Sequence, residues 1–400
     1  MTHATTNRPL RPRNRRELIA EAAGRAFSER GYHAVGMDDI AASVGITAAA
    51  LYRHYPNKYA LFVHCAAGLA DGLVEALDAL PEDADLADML RAVARTIVAN
   101  RATGGIYRWE VRYLHDADRR VLRGRFRTVT ERVARAVVTA REDADADRVD
   151  DPGLLPAAAL GAVGSATAHR TTVGARRMET LLAESALRVA LADVPDVAPA
   201  VAPATAEPAQ DAEPAQDAAP ARREQILRAA IPLFHRHGYP DVSMGAIAAA
   251  VGLTPSGLYR HYTGKADILA AACLEAADVL RATVDRELAG AGDGDALPAL
   301  ARAYVDYSFE HTALTSVATA EMGGLPPELQ PPLRAAQRGH VALWEEHLRA
   351  ARPDLDTVDA RVLVHAGLGV VTEAGRALHW EDAADHRRVV VALVLAAIGA

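Results

Sequence analysis

Five side chains with affinity for phosphate oxygens occur twice in this chain at one spacing. They are Thr47, Tyr52, Arg53, His54 and Lys58, and again Thr254, Tyr259, Arg260, His261 and Lys265. A hydroxyl, a phenol, a guanidinium and an ammonium on one outward face suit a polyanionic backbone. Lys58 lies near a predicted helix N-terminus, where backbone amides already favour anions. Catalytic chemistry is not indicated. The sequence has no glycine-rich phosphate loop, no nucleophile elbow and no cluster at metal-ligand spacing, so neither an enzyme nor a bound cofactor is expected. His169, His340, His365 and His379 form no metal triad and read as core or surface residues.

The elements that position these groups are repeated as well. The stretch from Arg15 to Phe62 returns at Arg222 to Leu269, 207 positions later and without a gap; the run Leu51-Tyr52-Arg53-His54-Tyr55 recurs unchanged as Leu258-Tyr259-Arg260-His261-Tyr262. Asn14 and Glu17 stand at capping-box spacing before a helical pattern of Ile19, Ala22, Ala23, Ala26 and Phe27. Gly31 and Gly238 are expected to end the first helix of each copy. A second helix is predicted from Met37 to Val44, with Asp38 and Asp39 in its first turn; in the later copy Ser243 is a better cap than Gly36. After the turns Gly45-Ile46-Thr47 and Gly252-Leu253-Thr254, the threonines cap a short third helix. Pro56 and Thr263-Gly264 are expected to stop it, and a fourth helix begins near Lys58 or Lys265.

Three such helices make a helix-turn-helix. Its second helix enters the DNA major groove while the first braces it through Met37, Ile40, Ala41 and Val44, or Met244, Ile247, Ala248 and Val251. Leu51 and Leu258 anchor the reading helix. The pattern resembles the TetR family of bacterial regulators. The resemblance rests on Phe27, Gly31-Tyr32, Met37, Ile40-Ala41, Val44-Gly45, Thr47, Leu51 to Tyr55 and Lys58, and on their counterparts 207 places on. Its two copies together cover about a quarter of the chain. It implies binding to double-stranded operator DNA as a dimer, with a small-molecule effector of unknown identity entering a helical domain behind each head. Thr47, Tyr52, His54 and Lys58, with Thr254, Tyr259, His261 and Lys265, would then touch the sugar-phosphate backbone. Tyr32 and Tyr239 fit the core better than the contact surface.

The copies diverge where bases are read: Ala48-Ala49-Ala50 in one, Pro255-Ser256-Gly257 in the other. Neither offers a bidentate Arg, Asn or Gln. Readout is expected to rest on methyl contacts from Ala48 and Ala49, on Pro255 and Ser256, and on DNA shape. Arg11 and Arg13 enter the minor groove or belong to a solvated arm. Pro232, inside the first helix of the second copy, is expected to kink it.

Residues 1–62 carry nine basic and five acidic side chains, and residues 222–269 six and three, against a net charge of −8 for the whole chain. Basic modules therefore sit on an acidic body. Cys65 and Cys273 lie far apart, which fits a reducing cytoplasm, and the longest apolar run, Val389 to Ile398, is short of the ~20 residues a membrane span needs. The alanine-rich composition predicts an all-α protein. Its expected domains are a flexible basic arm (1–14), a first helix-turn-helix (15–62), a first ligand-binding and dimerisation body (63–192), a Pro/Ala-rich linker (193–221), a second helix-turn-helix (222–269) and a second body (270–400).

Tyr107, Trp109, Arg112 and Tyr113 in the first body, and Tyr304, Tyr307, His311 and Met322 in the second, are candidates to line an effector pocket. The small residues of 157–168 and 366–375, with the runs Leu181–Leu191 and Val389–Ile398, are expected to form a helical interface between the two halves. An extended linker of about 27 residues reaches ~80 Å, enough for one chain to form an intramolecular pseudo-dimer; a homodimer of chains is the other assembly. The expected function is a small-molecule-responsive repressor on an imperfect palindrome. The alternative is a helical sensor or scaffold protein with degenerate DNA-binding heads.

Overall fold

Gly45 and Gly252 hold φ at +65° and +66°, in the left-handed region that costs other L-residues energy. Each marks the sharp turn of one repeat. The computed structural model describes residues 15–104, 106, 113–144, 151–194, 219–292, 294–321 and 325–400. All regular structure among them is helical, as the composition predicts.

The first repeat builds α1 (Arg15–Arg30), α2 (Met37–Ser43), α3 (Ala48–Tyr52) and the start of α4 (Lys58–Asp78). Ile19, Phe27, Ile40, Leu51, Tyr55, Leu61 and Phe62 are buried together; burying a large apolar side chain is worth about 1.5–3 kcal/mol. The cap predicted at Asn14 lies outside the described residues. Gly36 has no side chain to cap α2, and the Asp39 carboxylate accepts its N–H instead, at 2.9 Å. Beyond the turn, the Ile46 N–H reaches back to the Ala41 carbonyl at 3.0 Å.

The first body continues with α5 (Leu86–Ala99), α6 (Asp116–Asp143), α7 (Leu154–Gly164) and α8 (Ala175–Ala190). The second repeat forms α9 (Ala219–His237), α10 (Met244–Ala250), α11 (Pro255–Leu258) and α12 (Lys265–Ala289), followed by α13 (Ala296–Glu310), α14 (Thr312–Glu321), α15 (Gln330–Ala351), α16 (Thr357–Ala377) and α17 (Ala384–Ile398). The helix α9 starts within the segment predicted as linker, of which residues 195–218 lie outside the described set.

The helix α9 continues through Pro232, which lies on the exposed face, where solvent can replace the hydrogen bond it removes. One sequence expectation is corrected: the third helix ends earlier than Pro56 or Thr263. It stops at Tyr52 and Leu258 because the chain then tightens: the Leu51 carbonyl accepts from both His54 and Tyr55, and Leu258 from both His261 and Tyr262. That turn sends Tyr55 and Tyr262 into the core, at 1% and 3% exposure.

The chain divides into two units, one of Met1–Gly72 with Asn100–Phe126 and one of Leu73–Ala99 with Arg127–Ala400. Within the second, α7 packs along α16, α8 packs on both, and α17 packs on α16 and α8. The predicted small-residue stretches meet here. A Cβ built on Gly161 would lie 2.7 Å from the Gly369 carbonyl oxygen, and one on Gly369 would collide with the Gly161 carbonyl. Polar contacts frame the apolar seam: Arg177 on α8 pairs with Asp359 on α16, its Nε at 2.9 Å. Ser185 Oγ donates to the Ala397 carbonyl at 2.7 Å, and Arg188 donates to the carbonyls of Ala396 and Ala397 at 2.9 Å.

Candidate nucleic-acid interface

Each head presents the same outward constellation, held by the same local bonds. Thr47 Oγ1 accepts the Ala50 N–H at 3.2 Å and Thr254 Oγ1 that of Gly257 at 3.1 Å. Both threonines therefore cap the reading helix and still expose a hydroxyl that can donate. Tyr52 and Tyr259 stand 49% and 53% exposed. Arg53 and Arg260 are exposed, and His54 and His261 half-buried. At the start of the reading helices Ala49, Pro255 and Ser256 are exposed, while Ala48 is half-buried.

The lysines are more constrained than their sequence position suggests. Lys58 Nζ lies 4.5 Å over the Tyr32 ring and donates to the His33 carbonyl at 3.4 Å. Lys265 Nζ sits 4.5 Å over Tyr239 and donates to the carbonyls of Tyr239 and Pro240, at 2.5 and 2.9 Å. Burial lowers the pKa of the Lys58 ammonium from its ordinary value. Each lysine thus joins the start of the fourth helix to the loop after the first, and Tyr32 and Tyr239 pack beside the head cores as expected.

One pair escaped sequence reasoning in each head. The buried Tyr55 donates its hydroxyl to the Arg16 carbonyl at 3.3 Å, and Tyr262 donates to that of Arg223 at 3.5 Å. The guanidinium of the same arginine covers the ring, at 5.1 Å for Arg16 and 4.2 Å for Arg223. Burial raises the pKa of both phenols. The only sequence signal was that both residues recur at the 207-residue interval.

The candidate effector residues are scattered. Tyr107, Trp109, Arg112 and Met322 lie outside the described residues. Tyr113 stacks on Tyr32 at 5.9 Å and meets His33 edge-on at 4.5 Å, against the first head. Beside it, Tyr59 stacks on His115 at 4.0 Å and donates to Asp118 at 2.6 Å. In the second body Tyr304 stacks on His340, whose Nε2 accepts from the Trp344 indole at 3.2 Å. Tyr307 is buried, 5.3 Å from the His311 ring. A cleft of about 340 Å³ between α4 and α6 is lined by other residues, among them His64, Asp71, Asp118 and Arg125. No group able to hold a metal ion is found among the described residues. Of the described helices, α4 alone is long and apolar enough to cross a membrane, and it begins in the core of the first head.

The description "Bacterial regulatory proteins, tetR family" matches residues 19–65 and 226–272. The chain is 38% identical over 87 residues to the HTH-type transcriptional activator FasR of Mycolicibacterium smegmatis, covering 22% of this chain and 39% of that protein. It is 35% identical over 78 residues to the nucleoid occlusion factor SlmA of Photorhabdus laumondii, covering 19% and 39%. The matches thus span about two fifths of the length of these curated relatives. Among solved structures, a tetR-family regulatory protein from Rhodococcus RHA1 aligns at 24% identity over 44% of this chain and 95% of its own, with a TM-score of 0.38.

Proposed function

We propose, from the premise that this chain is a TetR-family regulator with its module in tandem duplicate, that one polypeptide acts as an intramolecular pseudo-dimer on a single operator. The observation that carries this reading is the meeting of α7 and α8 with α16 and α17. Equivalent helices of the two halves bury each other there, which is how two separate subunits would otherwise pair. The close approach of Gly161 to Gly369 supports a permanent seam.

In this reading Thr47, Tyr52, Arg53, His54 and Lys58, with Thr254, Tyr259, Arg260, His261 and Lys265, hold the DNA backbone. The unequal starts of α3 and α11 read the two arms of an imperfect palindrome. A small molecule entering a helical body relieves repression; Tyr113 in the first body and, separately, Tyr304, Tyr307 and His311 in the second are the proposed contacts. The relatives favour regulation of transcription as the broad role, since one is named a transcriptional activator.

Mass measurement in solution and on DNA tests the assembly. A single chain of 42.4 kDa on one duplex is the expected species. An obligate dimer of chains on one site would overturn it. Sequencing DNA fragments retained by the chain then gives the operator, and two unequal half-sites are expected.

A further inference from the structure

We propose that Arg16 and Arg223 are phosphate-contacting arginines, each held in place over a buried tyrosine. The proposal rests on the DNA-binding reading above and adds two residues that neither the motif nor the spacing singled out.

The same arrangement occurs in both heads. The tyrosine ring is buried and its hydroxyl is tied to the arginine's own carbonyl, 3.3 Å from Arg16 and 3.5 Å from Arg223. Ring and backbone are therefore fixed relative to each other, and the guanidinium lies over the ring face. Cation–π attraction holds a guanidinium over an aromatic face, and its planar fork of donors matches phosphate oxygens. In the second head Arg223 also donates through Nη1 to the carbonyl of His261. This places its charge at the end of the reading helix, two residues from the exposed Tyr259.

Both arginines are exposed, and among the described residues neither guanidinium is in an ion pair with an acidic side chain. The lysines share their donors with the loops: Lys58 directs one of three to a loop carbonyl and Lys265 two. Each arginine has five donors, of which the His261 carbonyl takes one from Arg223. Holding a long side chain in place before binding also removes part of the entropy cost of ordering it.

The test uses the full chain and a fluorescein-labelled mixed-sequence DNA duplex of about 30 base pairs, with anisotropy titrations across a salt series. Each phosphate that the protein neutralises adds about 0.9 to the steepness of log K against log salt. Arg16→Ala and Arg223→Ala are each expected to reduce the slope by about one, and the double variant by about two. Should either alanine variant fail to fold by circular dichroism, Arg16→Gln or Arg223→Gln replaces it; glutamine keeps a donor but removes the charge, and the same reduction in slope is expected. Weaker binding at an unchanged slope overturns the assignment, because removing a merely structural brace lowers affinity while the same number of phosphates stays neutralised. Absence of salt-dependent binding by the unaltered chain overturns the DNA-binding reading itself and this proposal with it.

Discussion

Gly161 on α7 and Gly369 on α16 meet backbone to backbone, so that a methyl group on either would press into the other's carbonyl oxygen. Two residues more than two hundred positions apart thus set how closely the two halves of the chain approach.

This contact predicts a sign change between neighbouring substitutions. Gly→Ala in a helix normally stabilises by up to about 1 kcal/mol. At Gly161 the new Cβ would lie 2.7 Å from a backbone oxygen, and overpacking costs about 1–3 kcal/mol, so Gly161→Ala is expected to lower the thermal midpoint. Gly164, one turn later, has nothing within 4 Å of its Cβ position, and Gly164→Ala is expected to raise it. Calorimetry of the two variants checks the contrast; equal shifts would argue against a tight seam.

The exposed tyrosines predict loss of binding without loss of fold. Tyr52 and Tyr259 are about half exposed, so truncation to alanine removes little packing. Tyr52→Ala and Tyr259→Ala are each expected to weaken DNA binding roughly tenfold, about 1.4 kcal/mol, on all sequences alike. Unfolding midpoints should stay within about 0.5 kcal/mol of the parent. Titrations against two unrelated duplexes measure whether the loss is uniform.

The unequal reading helices predict an exchangeable preference. Replacing Pro255-Ser256-Gly257 with three alanines copies the first head's sequence at the base-reading positions. The fold should accept it, because Ala50 already occupies the capped position that Gly257 holds in the second head. Selection from random DNA should then yield more symmetric sites than the parent chain selects. Unchanged asymmetry would move specificity away from these residues.

His340 predicts an acid limb to stability. Its half-buried imidazole packs against Tyr304 and Trp344, and desolvation holds its pKa at about 4, below the ordinary 6.5. The unfolded chain therefore takes up this proton first. The contribution is complete above pH 6.5 and is lost as the pH falls towards 4, a decline of up to about 3 kcal/mol. Denaturant titrations at stepped pH should show that decline, and His340→Gln should flatten it even if it lowers stability throughout.

Local elements were legible in the sequence because their causes are local. The capping threonines, the turn glycines and the starts of the fourth helices at Lys58 and Lys265 depend on neighbours a few positions away, and each falls where the pattern placed it. The cost of Pro232 was not legible, because it depends on which face of α9 the proline occupies, which the proline itself does not specify. The loop contacts of the lysines were not legible for a similar reason: their partners are backbone carbonyls about 25 residues earlier, and every residue carries a carbonyl.

The sequence by itself determined that the chain holds two copies of one helical head and an Ala/Gly-rich surface suited to close helix contact. It determined this because periodicity, caps and repetition act at short range or by direct comparison. Only the tertiary structure decided that Gly161 faces Gly369, that Arg16 and Arg223 lie over buried tyrosines, and that Tyr113 packs on the first head. A small residue or a guanidinium has many compatible partners, and packing at van der Waals distance selects among them.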